Sequence, residues 1–297
     1  MMVVLSSRVV VLVIVAGLSG VTAQQATNER APTVGNQVSL PIGPHTFGDA
    51  QNHFYNARYQ AAAALTLALR GSQPQDLAND ELRTSALLFQ LKGLLEEPVD
   101  KDANRKEADK KEALRMCVPC PPLIAAFMAD VEHGKALARG RLAANPGDDE
   151  ALFFLGKLDL NYVWLQLGPL GRKTGWDEYW EARRSLDLVV KRQPEHVRAL
   201  VARAWIDYIV DTRMPWGTRW VLGGGSRKRA LATVRAAVNI PSDFFTHAEA
   251  TFALWDMQVR ERDLRGAAEA GRALADDFPD NREVAAFLET REVRAGR

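Results

Sequence analysis

Four prolines in the second half of the chain, Pro146, Pro194, Pro241 and Pro279, are separated by 48, 47 and 38 residues. Each follows an apolar, helix-forming stretch and precedes a polar helix start. Proline stops a helix because it lacks an N–H and its ring clashes with the preceding turn. Stops at such a period divide the chain into stacked units, none of which can bury its apolar face alone. The stretches between them are rich in alanine and leucine, with few alternating β-branched runs. The expected fold class is all-α.

The units repeat internally. Leu152-x-x-Leu155-Gly156 opens one helix, and Ala182, Leu186, Val189 and Pro194 mark a second. In the next unit Ala204 takes the place of Gly156 and Ala230 that of Ala182, and both gaps are 26 residues. The third unit matches at Leu254, Ala267 and Pro279, with Trp255 in the small-residue position. This pattern resembles the tetratricopeptide repeat family. There a bulky residue and a Leu-Gly pair lie on the first helix, and a small residue, a bulky one and a closing Pro on the second. The standard unit has about 34 residues, so the longer period carries extra chain between the paired helices. The resemblance covers residues 50–295 and is clearest from Pro146 onward. It implies a right-handed superhelical array of antiparallel helical hairpins with a concave binding groove, and it implies no chemistry. Gly156 is expected at a helix–helix contact and Lys157 on the exposed side.

The chain divides into three segments. Residues 1–23 hold one charge, Arg8, then an apolar run, Val9–Leu18, and Val21-Thr22-Ala23. These are the parts of a secretory signal peptide cleaved after Ala23. The run is about half the ~20 residues that a spanning helix needs. A periplasmic or secreted protein is expected. Residues 24–48, with Pro32, Gly35, Pro41, Gly43 and Pro44, read as a flexible linker, and residues 49–297 as the repeat domain. Without Arg8 the 38 basic residues become 37, against 37 acidic ones. That balance points to neither nucleic acid nor an anionic membrane as a partner.

Within the repeat domain, His53–Leu69 and Leu82–Leu95 read as helices, and the charge-dense Val99–Arg115 as a solvated helix or an insertion loop or, alternatively, a binding tail. The carboxylates after Pro146, Asp148 to Glu150, suit a helix N-terminus. Thr246-x-x-Glu249 fits a capping box. Pro279-Asp280-Asn281 would cap a last helix, Arg282–Arg294, that covers the open end of the array.

Three constellations are candidate sites. Cys117-Val118-Pro119-Cys120 is the only cysteine pair. Export favours a disulfide that stiffens the next helix; redox chemistry would want a βαβ setting, and two thiols are too few for zinc. Gly223-Gly224-Gly225 leads into Ser226, Arg227, Lys228 and Arg229. Ser226 reads as an N-cap, and the segment as a tight turn or, alternatively, an anion site built on free N–H groups. Trp216 and Trp220 lie beside Arg213 and Arg219 in an extension that either folds back on the core or presents anchors to a partner or ligand. The five histidines make no metal motif, and no catalytic or cofactor-binding motif stands out. The expected function is therefore an exported, non-enzymatic scaffold that binds a protein or peptide through its groove. The alternatives are a solute-binding accessory of a transport system and a thiol–disulfide redox protein using Cys117 and Cys120.

Overall fold

A capping box starts the first described helix. The Thr46 hydroxyl accepts from the Asp49 N–H at 3.2 Å, and the Asp49 carboxylate accepts from the Thr46 N–H at 2.8 Å. The computed structural model describes residues 45–95, 107–172 and 174–295. The expected signal peptide, the expected linker as far as Pro44 and the first half of the charge-dense segment lie outside the described residues.

Thirteen helices and no strand form the described residues. The first five are α1 (Phe47–Tyr55), α2 (Tyr59–Ser72), α3 (Leu77–Leu95), α4 (Glu107–Met116) and α5 (Cys120–Ala144). Then come α6 (Asp149–Leu167), α7 (Trp176–Arg192), α8 (Val197–Arg213) and the single turn α9 (Trp216–Arg219). The chain continues as α10 (Arg227–Val238), α11 (Phe244–Arg260), α12 (Leu264–Asp277) and α13 (Arg282–Ala295). The helical segment expected from His53 to Leu69 is broken in two. Ala57 takes a left-handed φ of 57° between α1 and α2, a conformation that ends a helix in a non-glycine residue.

The α6/α7 pair shows how the repeat works. Arg192 and Gln193, at the end of α7, bond the Asp149 carboxylate at the start of α6 at 2.7 and 2.9 Å, so the helices run antiparallel. Midway, Gly156 faces Ala182, Ser185 and Leu186, and a Cβ on Gly156 would lie only 3.0 Å from Leu186 Cγ. Ala204 and Ala230 are buried in the α8/α10 pair, where the same two positions recur. In α11/α12 the small residue changes sides: Trp255 on α11 packs against Gly271 on α12.

Helix starts follow the local chemistry, with one correction. The Asp148 carboxylate caps α6, and Asn281 Oδ1 accepts from the N–H groups of Glu283 and Val284. The expected Thr246–Glu249 capping box is absent. Asp243 caps α11 instead, accepting from the N–H groups of Phe245 and Thr246. Thr246 is thereby one of the capped residues, and Glu249 is drawn into the core.

The hairpins return on themselves. Tyr55, at the end of α1, is buried with Phe278 and Leu274, and its ring stacks on Phe245 and Phe252. The Asn281 amide donates to the Tyr55 carbonyl at 2.7 Å, and the Arg58 guanidinium pairs with Asp280. Position 58 is thus joined to position 280. No described helix is long and apolar enough to cross a membrane.

Candidate functional site

Where the first helices of the hairpins meet, the interior is charged. Lys157 of α6 and Arg198 of α8 face Glu81 of α3 and Glu249 of α11. The Lys157 ammonium lies 2.8 Å from Glu249 and 3.4 Å from Glu81. The Arg198 guanidinium donates to Glu249 at 2.6 Å and to Glu81 at 2.9 Å. The Lys157 side chain is 14% exposed, so its expected place on the exposed side is overturned. Two cations and two anions cancel, which is how burial is tolerated. Burial pushes the Glu249 carboxyl up, but Arg198 and Lys157 outweigh it and hold the group down at about 2.

Above this quartet a cleft opens between the N-terminal ends of α6, α8 and α11. Its volume is about 380 Å³. Phe153, Phe154, His196 and Arg198 line its interior, and Glu195, Gln193, Pro241 and Ser242 its exposed margin. Each element arrives for a local reason. Asp148 fixes the first turn of α6, which turns Phe153 and Phe154 inward. His196 is the N-cap of α8, and its Nδ1 accepts from the Ala199 N–H at 3.2 Å. Burial lowers the His196 pKa, which keeps the imidazole neutral, and only a neutral ring can accept at Nδ1. The ring stands 4.7 Å from that of Phe153, and the Arg198 guanidinium lies over Phe153 at 5.0 Å. An apolar wall from α6 thus meets a fixed imidazole and a guanidinium from the start of α8, with the start of α11 closing the third side.

The extension between α8 and α10 is a separate surface. Its backbone is fastened at several points. Arg219 donates to the Met214 carbonyl at 3.0 Å and to Asp211 at 2.8 Å. Tyr179 donates to the Leu222 carbonyl at 2.7 Å, and Arg183 to the Gly223 carbonyl at 2.9 Å. Leu222 is buried, yet Trp216 and Trp220 are 86% and 76% exposed. The indoles therefore do not fold back on the core. Arg213 is exposed beside them. Ser226 caps α10, accepting from the Arg229 N–H at 3.3 Å. The Arg227 N–H donates to Asp211 at 2.9 Å, so a carboxylate of the chain itself already holds the expected anion position. Arg227 also reaches Glu261 at 3.6 Å.

Cys117 and Cys120 are joined by a disulfide at the start of α5. Cys120 is fully buried against the α3–α5 core, and Pro121 and Pro122 follow it into the helix. The structure thus brings Arg213, Trp216, Arg219, Trp220, Ser226 and Arg227 to one end of the α8/α10 hairpin, away from the cleft-lining residues and the disulfide.

The cleft and the quartet carry no signature in the sequence. His196 was visible as a polar residue before an apolar helix, but an imidazole N-cap is uncommon. Lys157 and Arg198 look like ordinary surface charges until four helices bring carboxylates to them. No protein-family model matches the chain, and no curated protein sequence matches it.

Proposed function

We propose that this chain is an exported scaffold of tetratricopeptide-like hairpins in a right-handed superhelical array, which holds a protein or peptide partner in the cleft formed by α6, α8 and α11. The observation that carries this reading is the cleft itself, built from the inner ends of three successive hairpins and about 380 Å³ in volume. Its depth comes from aromatic rings, which supply apolar area at low conformational cost. Its margin offers an exposed carboxylate, Glu195, for a donor on the bound segment.

A photo-crosslinking residue at position 195, compared with one at Arg265 on α12, tests the proposal. Protein or peptide adducts at 195 alone, abolished by the cleft-filling Ser242→Trp, are expected. Equal labelling at both positions would refute it. One observation favours a second reading: the volume lies within the range of small-molecule sites. In that case a solute raises the melting temperature of the parent chain, Ser242→Trp removes the rise, and no adduct forms.

A further inference from the structure

We propose that the Trp216–Val221 projection is a peripheral docking surface for an anionic lipid bilayer. The surface is independent of the cleft. Three exposed apolar side chains, Trp216, Trp220 and Val221, lie within six residues of sequence. Trp216 and Trp220 are four residues apart across the turn of α9, the spacing that places side chains on one face. The anchors at Met214, Asp211, Leu222 and Gly223 fix the backbone beneath them. Exposed indoles on a fastened loop are already arranged for contact, so little ordering entropy opposes binding.

The charges around the projection select the occupant. Both ends of the extension meet at the last turns of α8. Gly225 lies so close to α8 that a Cβ there would be 3.0 Å from the Asp211 nitrogen. Arg213 at the end of α8 is thereby brought next to the start of α10, where Arg227, Lys228 and Arg229 occupy the first turn. Three cations at a helix N-terminus oppose the helix dipole, an arrangement that costs stability. Of the five basic residues Arg213, Arg219, Arg227, Lys228 and Arg229, Arg219 pairs with Asp211 and Arg227 reaches Glu261, while Asp207 beneath the loop is paired with Arg203 and Arg183. Asp211 is taken by Arg219 and the Arg227 N–H, and Glu261 by Arg227 and the Tyr208 hydroxyl. The exposed side chains of Arg213, Lys228 and Arg229 keep a net positive charge beside the indoles. Tryptophan seats at the headgroup level of a bilayer, and basic side chains next to it are drawn to anionic lipid. The chain's near-neutral total conceals this local excess.

The test uses the full chain with vesicles of phosphatidylcholine, alone or mixed with phosphatidylglycerol, some of the latter brominated to quench tryptophan emission. Binding is expected only with phosphatidylglycerol, with part of the tryptophan emission quenched. It should weaken as added salt shortens the Debye length from about 10 Å to about 3 Å. Arg213→Gln/Lys228→Gln/Arg229→Gln should weaken it on the order of a hundredfold. Trp216→Phe/Trp220→Phe should remove the quenched component. Circular dichroism should show both variants folded, since these side chains project into solvent. The apolar Val9–Leu18 run could also enter a bilayer, and the variants separate that case. Adsorption that ignores the triple substitution, or quenching that survives the double one, overturns the proposal. So does binding to an acidic protein or peptide with none to vesicles.

Discussion

Lys157 keeps a full charge inside the protein because two carboxylates lie within 3.4 Å of its ammonium. Lys157→Ala leaves Glu81 and Glu249 short of a partner. Loss of one member of a buried ion cluster costs about 3–5 kcal/mol, measurable by urea denaturation. The cluster also sets an acid limit. Glu249 is held at about 2 against an ordinary 4.5, so its contribution is complete above pH 4.5 and is lost as the pH falls towards 2. Asp159 behaves oppositely. Burial pushes its carboxyl up to about 7, against the pull of Lys135 at 2.7 Å. An acid with a raised folded pKa favours the native state least when ionised, so this group subtracts stability as the pH rises from 3.8 to 7. Asp159→Asn mimics the protonated form and should flatten that part of the stability–pH curve, with up to about 1.4 kcal/mol per pH unit removed from the slope. None of these charges announces its burial in the sequence. Lys157 and Asp159 lie beside leucines on α6, a helix that is apolar nearly all round, and their partners are on other helices.

At the scale of the element, the small residues were legible and the connections were not. Gly156 lies at the helix contact where the repeat spacing places it, because close approach of α6 and α7 leaves no room for a side chain. Gly156→Leu should cost about 1–3 kcal/mol by overpacking against Leu186 and Ser185, read as a lower midpoint in thermal unfolding. Trp255 shows why the pattern fails in the third hairpin. The repeat leaves room for a small residue on either helix, and here Gly271 supplies it from the other side. The extension before α10 depends on Gly225 in the same way. A Cβ there would meet the Asp207 carbonyl and the Asp211 nitrogen, both backbone atoms that cannot swing aside. Gly225→Ala should lift the loop from α8, with earlier proteolysis between residues 214 and 225 and little change in the other hairpins. The path of this loop depends on Arg183 and Tyr179, which belong to the previous hairpin, so local sequence could not show that the indoles stay exposed.

Among the described residues, the first helix is tied to the last turn. Tyr55 and Asn281 are 226 residues apart and share a hydrogen bond, and the Tyr55 ring completes an aromatic stack in the last hairpin. Tyr55→Ala should therefore cost about 3–5 kcal/mol, the range for a buried aromatic. The loss should be seen far from the substitution. Hydrogen exchange should rise in α11 and α12 along with α1, whereas neighbour-only coupling would confine the rise to α1 and α2. The periodic prolines made the hairpins legible, but nothing periodic marks this closure, since it rests on one tyrosine and one turn. Open arrays of helical hairpins grow and shrink by duplication or loss of a unit, because a new hairpin needs only a neighbour to stack on. Here an added hairpin would carry Phe245, Phe278 and Asn281 away from Tyr55 and break the seam. The number of units in this protein is set by geometry, and its lineage should vary loop lengths rather than repeat copies.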